Sequence, residues 1–216
     1  MNESEKRPVG PHTYRDYVPT MPILKWPCDE LTKVAEEFDF QNDEYDVEFI
    51  AAELMSNLDA SEAGVGLAAT QLGIRRRVIA VKQYLGRRGR GQGIINTVLV
   101  NPLIEEYTKQ VAHAEEGCLS LPGVYATVAR PAGISVSYVD AVTREVHEFS
   151  CKGPLARVIQ HEIDHLDGKM FFNRLDQDAA NRVLRKYFSP EDAAVDVENK
   201  IAAQKEKRRR SKRRRR

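Results

Sequence analysis

Apolar residues recur at helical spacing in several parts of the chain. One such stretch predicts an amphipathic helix from a cap at Asn42 or Asp43 to about Asp59. Another begins at Pro154, a favoured first-turn residue, and stops at Gly168, a residue type that often ends helices. Further helices are predicted after Asp29, over residues 176–188, and from Ser189 into the C-terminal tail.

Short apolar or alternating runs predict the strands. These are residues 78–81, 98–100, 134–139 and 145–151, the last two forming a hairpin. Pro102 is expected to end the second strand, because proline cannot donate to a ladder. The glycine-containing segment 64–73 predicts a shaped loop, and 115–122 a short loop or edge strand. Strands that precede the most informative helix indicate an α+β fold.

Charge is distributed unevenly along the chain. Residues 205–216 hold ten Lys or Arg and one Glu, whereas the other residues hold 23 basic and 31 acidic side chains. No apolar run reaches the roughly 18 residues of a membrane span, and the start of the chain lacks the pattern of a signal or transit peptide. The three cysteines are too few and scattered for a disulfide framework. Composition therefore excludes membrane, secreted and fibrous classes and favours a cytoplasmic location.

The predicted helix over residues 155–166 carries an unusual carboxylate. At about 100° per residue, its apolar positions form one stripe, made of Leu155, Val158, Ile159, Ile163 and Leu166. Glu162 falls inside this stripe, where a buried and unpaired carboxylate costs several kcal/mol. Because a purely structural helix would place a leucine there, Glu162 is a candidate for chemistry.

Two histidines flank that carboxylate and complete a His-Glu-x-x-His pattern. His161 and His165 lie four residues apart, so their imidazoles can close on one cation. The pattern alone leaves a second reading equally open, with satisfied core histidines and Glu162 paired to an arginine such as Arg157. A catalytic site of this type needs a third ligand. Cys118 is a candidate, although a small buried hydrophobe is the usual fate of an intracellular cysteine.

Three segments now stand together: GVGLAATQ at 64–71, EEGCLSLP at 115–122 and QHEIDHLDG at 160–168. They closely resemble the three signature motifs of the peptide deformylases, in the same order and with similar spacing. The resemblance implies small antiparallel or mixed β-sheets packed around a central metal-binding helix, with a C-terminal helix and a basic tail. The expected regions are a flexible N-terminal arm at 1–20, a catalytic domain at 21–188, and the helix and tail at 189–216.

The resemblance also implies the metal centre. Cys118, His161 and His165 match the family's ligands for one divalent ion, with Fe(II) expected as the native metal and Zn(II), Ni(II) or Co(II) also suited to the donors. Metal-bound water is then the nucleophile. Glu162 matches the general base, which returns the proton to the departing amine. The implied reaction removes the formyl group from the N-terminal formyl-methionine of newly made polypeptides and releases formate.

Further matches concern the oxyanion and the peptide. The side-chain amide of Gln71 and the backbone N–H of Leu119 match the donors to the developing oxyanion. Gly66 matches a position whose backbone pairs with the bound peptide, and Gly64, Val65 and Gly66 are the expected substrate-binding segment.

The chain departs from the family pattern at several positions. Tyr125 stands where some members place an arginine, Arg157 stands where an aliphatic residue is frequent, and the basic stretch 86–93 resembles an insertion. The family's basic C-terminal helix docks on the ribosome near the exit of the nascent chain, so residues 205–216 imply that partner, with a solvated tail as the alternative. No membrane or DNA partner is expected.

Two other function classes stay open at this point. A peptidase could use the same His-Glu-x-x-His chemistry, but the upstream Cys118 and the lack of a histidine after His165 count against it. A non-catalytic, ribosome-associated relative with a structural metal is the other alternative. Glu162 argues against it, since a closed structural site needs no base.

Overall fold

The structure is a computed structural model, and it describes residues 17–84 and 94–189. Its helices are α1 (Val47–Ala60), α2 (Pro154–Leu166) and α3 (Gln177–Phe188), with 3₁₀ turns at Asp29–Thr32, Ala69–Leu72 and Phe171–Arg174. Its strands are β1 (Gly66–Ala68), β2 (Val78–Tyr84), β3 (Ile94–Tyr107), β4 (Val111–Cys118), β5 (Leu121–Pro131), β6 (Gly133–Asp140) and β7 (Val146–Lys152). The basic tail, the stretch 86–93 and residues 1–16 of the expected arm lie outside the described residues.

Two antiparallel sheets surround α2. Five strands form one sheet in the order β1-β2-β3-β6-β7, and β4 and β5 form a separate two-stranded sheet, here called the hairpin. The apolar stripe of α2 packs into a buried cluster with the larger sheet, where Ile159 and Leu166 meet Ile79, Leu99 and Val136. The α+β prediction, with small sheets around a central helix, is confirmed.

Pro102 does not end its strand, and that prediction was wrong. Strand β3 continues to Tyr107, with a register shift against β6 between Val100 and Leu103. Asn101 adopts a positive φ of 49°. Its side-chain Oδ1 accepts a 2.7 Å hydrogen bond from Phe38 N, and its Nδ2 donates a 3.0 Å hydrogen bond to the Phe38 carbonyl. Proline is tolerated at such an irregularity because no ladder bond is required of it there.

The helix expected after Asp29 is only one 3₁₀ turn, Asp29–Thr32. The residues that follow form extended bridges instead, Val34 with Asp167 and Glu36 with Arg76. The start of α1 also lies later than predicted, at an Asp46 cap. Asp43 is used elsewhere, since its carboxylate accepts a 2.5 Å bond from Arg76 Nε.

The segment expected to be a shaped loop contains regular structure, and the segment predicted as a short loop or edge strand belongs to two strands. Residues 64–73 hold strand β1 and the turn Ala69–Leu72, which ends at Gly73 with a φ of 82°. Residues 115–122 belong to the hairpin, which is longer than the sequence indicated. Cys118 pairs with Leu121, so the hairpin reverses direction through the two residues between them.

The other element predictions that fall on described residues agree with the structure, whereas the helix predicted from Ser189 lies outside the described residues. Helices α2 and α3 and the β6–β7 hairpin were all predicted, and Asp176 caps α3 through a 2.8 Å bond from Ala179 N. Within residues 17–84 and 94–189, none of the helices combines the length and the apolar character needed to cross a membrane.

Candidate metal centre and active site

Three potential metal ligands meet where β4 ends beside α2. Cys118 is the last residue of β4, and His161 and His165 lie one turn apart on α2. The distance from Cys118 Sγ to His165 Nε2 is 3.2 Å, and that from His165 Nε2 to His161 Nε2 is also 3.2 Å. All three ligand atoms lie within 4.8 Å of one another. The fold therefore brings the three predicted ligands together.

The electrostatics of this cluster favour a cation. Burial opposes ionisation of Cys118, but the neighbouring imidazoles outweigh it and lower the pKa of the thiol well below its usual value. Burial likewise favours the neutral form of His161, yet hydrogen bonds with Cys118 and Glu116 raise its pKa to about 10. One thiolate and two imidazoles are a donor set that fits a divalent transition metal.

A buried carboxylate orients one of these ligands. Glu116 Oε2 lies 3.0 Å from His161 Nδ1, the nitrogen that faces away from the cluster. Arg130 grips the same carboxylate with bonds of 2.7 and 2.9 Å and also reaches Asp164 at 2.7 Å. Burial raises the pKa of Glu116, but His161 and Arg130 outweigh it and hold that pKa well below its usual range. Such a partner fixes the tautomer and the ring orientation of a ligating histidine.

Glu162 lies beside the cluster and is 4% exposed. Its Oε2 has no hydrogen-bond partner among the described residues. Burial raises the pKa of this carboxylate to about 7, against the lowering effect of His161 and His165. An orphaned buried carboxylate whose pKa is near neutrality has the properties of a general acid and base.

Gly66 makes room for that carboxylate. A Cβ atom at position 66 would lie 2.6 Å from Val158 Cγ1 and would overlap Glu162 Oε1. The sequence interpretation attributed this glycine to the approach of a peptide, and the structure gives a second reason for it. Any larger residue at position 66 would displace Glu162 or Val158.

Gln71 is buried, and its amide orientation is fixed on both sides. Its Oε1 accepts a 2.9 Å bond from Ala68 N, and its Nε2 donates to Ser120 Oγ at 3.0 Å. The same Nε2 points toward Cys118 Sγ at 3.5 Å, a longer contact. One N–H of Gln71 is therefore directed at the edge of the ligand cluster.

A cavity of about 410 Å³ opens in front of these groups. Gly64, Val65 and Gly66 line it on one side, together with Leu119, whose carbonyl accepts a 2.7 Å bond from Lys25 Nζ. Tyr125 also lines the cavity and is 56% exposed. All the residues predicted for the site thus contact the cavity or the cluster beside it.

A model of the polypeptide deformylase family matches residues 20–181. The chain belongs to this family. A peptide deformylase of Picosynechococcus is 39% identical over 158 residues, which cover 73% of this chain and 76% of the relative. The family assignment makes the protein an enzyme, a hydrolase that deformylates peptides and depends on a metal.

Solved deformylase structures share the fold. One, from Synechococcus elongatus in complex with actinonin, is 31% identical with a TM-score of 0.67, covering 79% of this chain and 89% of that one. Another, from Acinetobacter baumannii with bound Met-Ala-Ser, is 31% identical with a TM-score of 0.64, covering 72% of this chain and 98% of that one.

Sequence reasoning missed several side chains of this deformylase site. Arg130 and Ser120 were not singled out, although they hold Glu116 and Gln71 in place. Asp164 lies on α2 three residues after His161 and is 2% exposed, but it lies opposite the apolar stripe, so the helical pattern predicts a solvent-facing residue. A buried aspartate predicts a buried cationic partner, but nothing in the sequence around Arg130 identifies it as that partner.

Proposed function

We propose that this deformylase removes the formyl group from the N-terminal formyl-methionine of newly made polypeptides and releases formate, with one divalent ion held by Cys118, His161 and His165. The observation that carries the proposal is the orphaned, buried Glu162 carboxylate beside those three donors. A closed structural metal site has no use for an unpaired carboxylate, so this feature favours catalysis over the non-catalytic alternative.

A divalent ion held by Cys118, His161 and His165 would supply Lewis acidity for hydrolysis near neutral pH. The donor set suits Fe(II), which we propose as the native metal, and also Zn(II), Ni(II) and Co(II). Glu116 keeps His161 Nε2 turned toward the cluster by accepting from Nδ1.

Glu162 acts as base and then as acid in this proposal. Its carboxylate takes a proton from the attacking water and returns it to the amine that leaves. Both roles need a pKa near the working pH, and burial raises the pKa of Glu162 to about 7. Gly66 leaves free the space that the carboxylate occupies.

The oxyanion of the tetrahedral state is proposed to bind beside Cys118. The second N–H of Gln71 points there, and the backbone N–H of Leu119 follows directly in the chain. The bond from Ala68 N to Gln71 Oε1 supports the donor orientation, because a flipped amide would lose it. One such donor is typically worth about 3 kcal/mol of transition-state stabilisation.

The peptide is proposed to add to the edge of the larger sheet. Strand β1 is an edge strand, and Gly64, Val65 and Gly66 line the cavity. An extended peptide could pair with this segment while its methionine side chain enters the cavity. The Met-Ala-Ser bound to the Acinetobacter baumannii deformylase supports a peptide of that length and chemistry.

The origin of the substrate, the location in the cell and the ribosome contact are also parts of the proposal. Nascent formylated chains are the substrate, which agrees with the cytoplasmic location predicted from the sequence. The three regions 1–20, 21–188 and 189–216 and ribosome docking through residues 205–216 remain predictions, since the tail lies outside the described residues.

Formate release from formyl-Met-Ala-Ser tests the proposal. The protein would be purified without oxygen, reloaded with Fe(II) or Ni(II), and assayed with acetyl-Met-Ala-Ser in parallel, with bound metal measured in each sample. We expect one ion per chain and formate release from the formyl peptide. One bound ion without turnover would favour the non-catalytic alternative, and no bound ion would refute the proposed metal site.

A further inference from the structure

Arg157 of α2 joins that helix to both strands of the hairpin. Its Nη1 donates to Glu116 Oε1 at 2.5 Å and to the Val128 carbonyl at 2.9 Å, and its Nη2 donates to the Ala112 carbonyl at 2.6 Å. Its side chain is 14% exposed, so these bonds are largely shielded from water. A single guanidinium thus ties one carboxylate and two main-chain carbonyls to the helix.

The metal ligands are divided between the same two elements. Cys118 belongs to the hairpin, whereas His161 and His165 belong to α2. Helix α2 packs mainly against the larger sheet, and the hairpin packs against α3 and the turn Phe171–Arg174. The geometry of the ligand cluster therefore depends on side chains that hold the hairpin against α2.

Glu116 connects Arg157 to the metal ligand His161. Its Oε1 accepts from Arg157 and Arg130, and its Oε2 faces His161. With both oxygens held, the carboxylate cannot rotate away from the imidazole. A lysine at position 157 would keep the charge, but it lacks the planar set of donors that serves three acceptors at once.

We propose that Arg157 is a positioning residue for the metal centre, which acts through Glu116 to keep His161 directed at the ion and thereby slows loss of the ion. This inference rests on the part of the proposed function that assigns a divalent ion to the cysteine and the two histidines. Removing an outer partner of a metal ligand typically costs 10–100-fold in metal affinity or activity. We expect the rate of metal loss to rise by a factor in that range.

The test measures metal retention rather than turnover. Co(II)-loaded protein is mixed with excess EDTA well below its unfolding temperature, and the thiolate–Co(II) absorption is followed with time. Arg157→Leu is expected to lose Co(II) about 10–100-fold faster than the wild type. Arg182→Leu, which changes an exposed arginine of α3, is the matched control and should leave the rate unchanged.

A double-variant comparison separates positioning through Glu116 from a general loosening of the fold. In the Glu116→Gln background, the added Arg157→Leu change should accelerate Co(II) loss much less than it does in the wild type. Arg157→Lys preserves the charge and much of the volume of the side chain. It therefore tests the positioning role of Arg157 if Arg157→Leu does not fold, and it too should lose Co(II) faster than the wild type.

Three results would overturn the inference. The first is an Arg157→Leu variant that loses Co(II) at the wild-type rate; if that variant does not fold, the same result for Arg157→Lys counts. The second is an Arg157→Leu change that accelerates Co(II) loss equally in the wild-type and Glu116→Gln backgrounds. The third is a wild-type protein that takes up no Co(II), which would refute the proposed metal site as well. A wild type that holds Co(II) but releases no formate counts against the proposed reaction alone, and the rate comparison then still decides the role of Arg157.

Discussion

Gly66 lies so close to the carboxylate of Glu162 that a methyl group at position 66 would overlap Glu162 Oε1. The glycine belongs to edge strand β1, and the carboxylate projects from α2. The segment proposed to bind the peptide and the proposed base are thus in direct contact. The base occupies space that any side chain at position 66 would fill.

Gly66→Ala is expected to lower kcat on the order of 100-fold, because a displacement of about 1 Å in a catalytic group has that effect. The combination of Gly66→Ala with Glu162→Asp should be less damaging than the two single effects multiplied, because the shorter side chain relieves the overlap. Formate release measured on all three variants checks this. Fully independent effects would show that the contact does not position the base.

Gln71→Glu is expected to reduce kcat by about 100-fold to 1,000-fold, the usual loss for one oxyanion donor. The substitution keeps an oxygen for Ala68 N but replaces the N–H directed at Cys118 with an acceptor. Gln110→Glu, at an exposed position, makes the same chemical change away from the site. Equal kcat values for the two variants would rule out the proposed donor role.

Arg130→Met is expected to destabilise the fold by about 3–5 kcal/mol, because it leaves the buried carboxylates of Glu116 and Asp164 without a main partner. Arg144→Met removes an exposed pair with Glu48 and should cost less than about 1 kcal/mol. Urea unfolding of the two variants gives the comparison. Similar losses would contradict a structural role for the buried pairing.

Glu53 is expected to lower the free energy of unfolding as the pH becomes acidic. This fully buried carboxylate accepts bonds from Tyr17 Oη, Thr20 N and Met21 N. Burial raises its pKa, but these hydrogen bonds outweigh burial and leave the pKa lowered. Its folded-state pKa lies below its unfolded value, so its contribution is present above the unfolded pKa and is lost as pH falls through the folded one.

The variant Glu53→Gln should therefore be less stable than the wild type at pH 7, by about 1–3 kcal/mol. The difference should shrink as the pH falls below the ordinary glutamate pKa of about 4.3, which applies to the unfolded chain, and then through the lower folded-state pKa of Glu53. Glu106→Gln, an exposed residue of β3, is the control and should follow the wild type throughout. A difference that stays constant with pH would exclude this linkage.

The sequence predicted α2 and the closeness of His161 and His165 on it, because the relevant signals are local. The stripe that contains Ile159 and Ile163 has helical spacing, and Glu162 contradicts that stripe. Pro102 misled the strand prediction, since the bulge that tolerates it depends on Asn101 bonding to the distant Phe38. Local patterns carry no information about such a partner.

The surroundings of the ligands were not predictable for the same reason. Arg130 lies in β5 and Glu116 in β4. The hairpin register pairs Glu116 with Ala126 and Ala112 with Arg130, and this long-range pairing brings the two side chains within reach of each other. The second use of Gly66 likewise depends on how β1 approaches α2. Glycine in a loop motif has several explanations, and only the packing against Glu162 distinguishes them.

The most direct test of the account is Glu162→Gln in metal-loaded protein, assayed for formate release from formyl-Met-Ala-Ser beside the wild type and Glu106→Gln. The substitution keeps the size of the side chain but removes the proton acceptor, so one ion per chain should remain while turnover falls by about 100-fold or more. Glu106→Gln should match the wild type. Formate release by Glu162→Gln at the wild-type rate, with the ion bound, would contradict the assignment of Glu162 as the catalytic base.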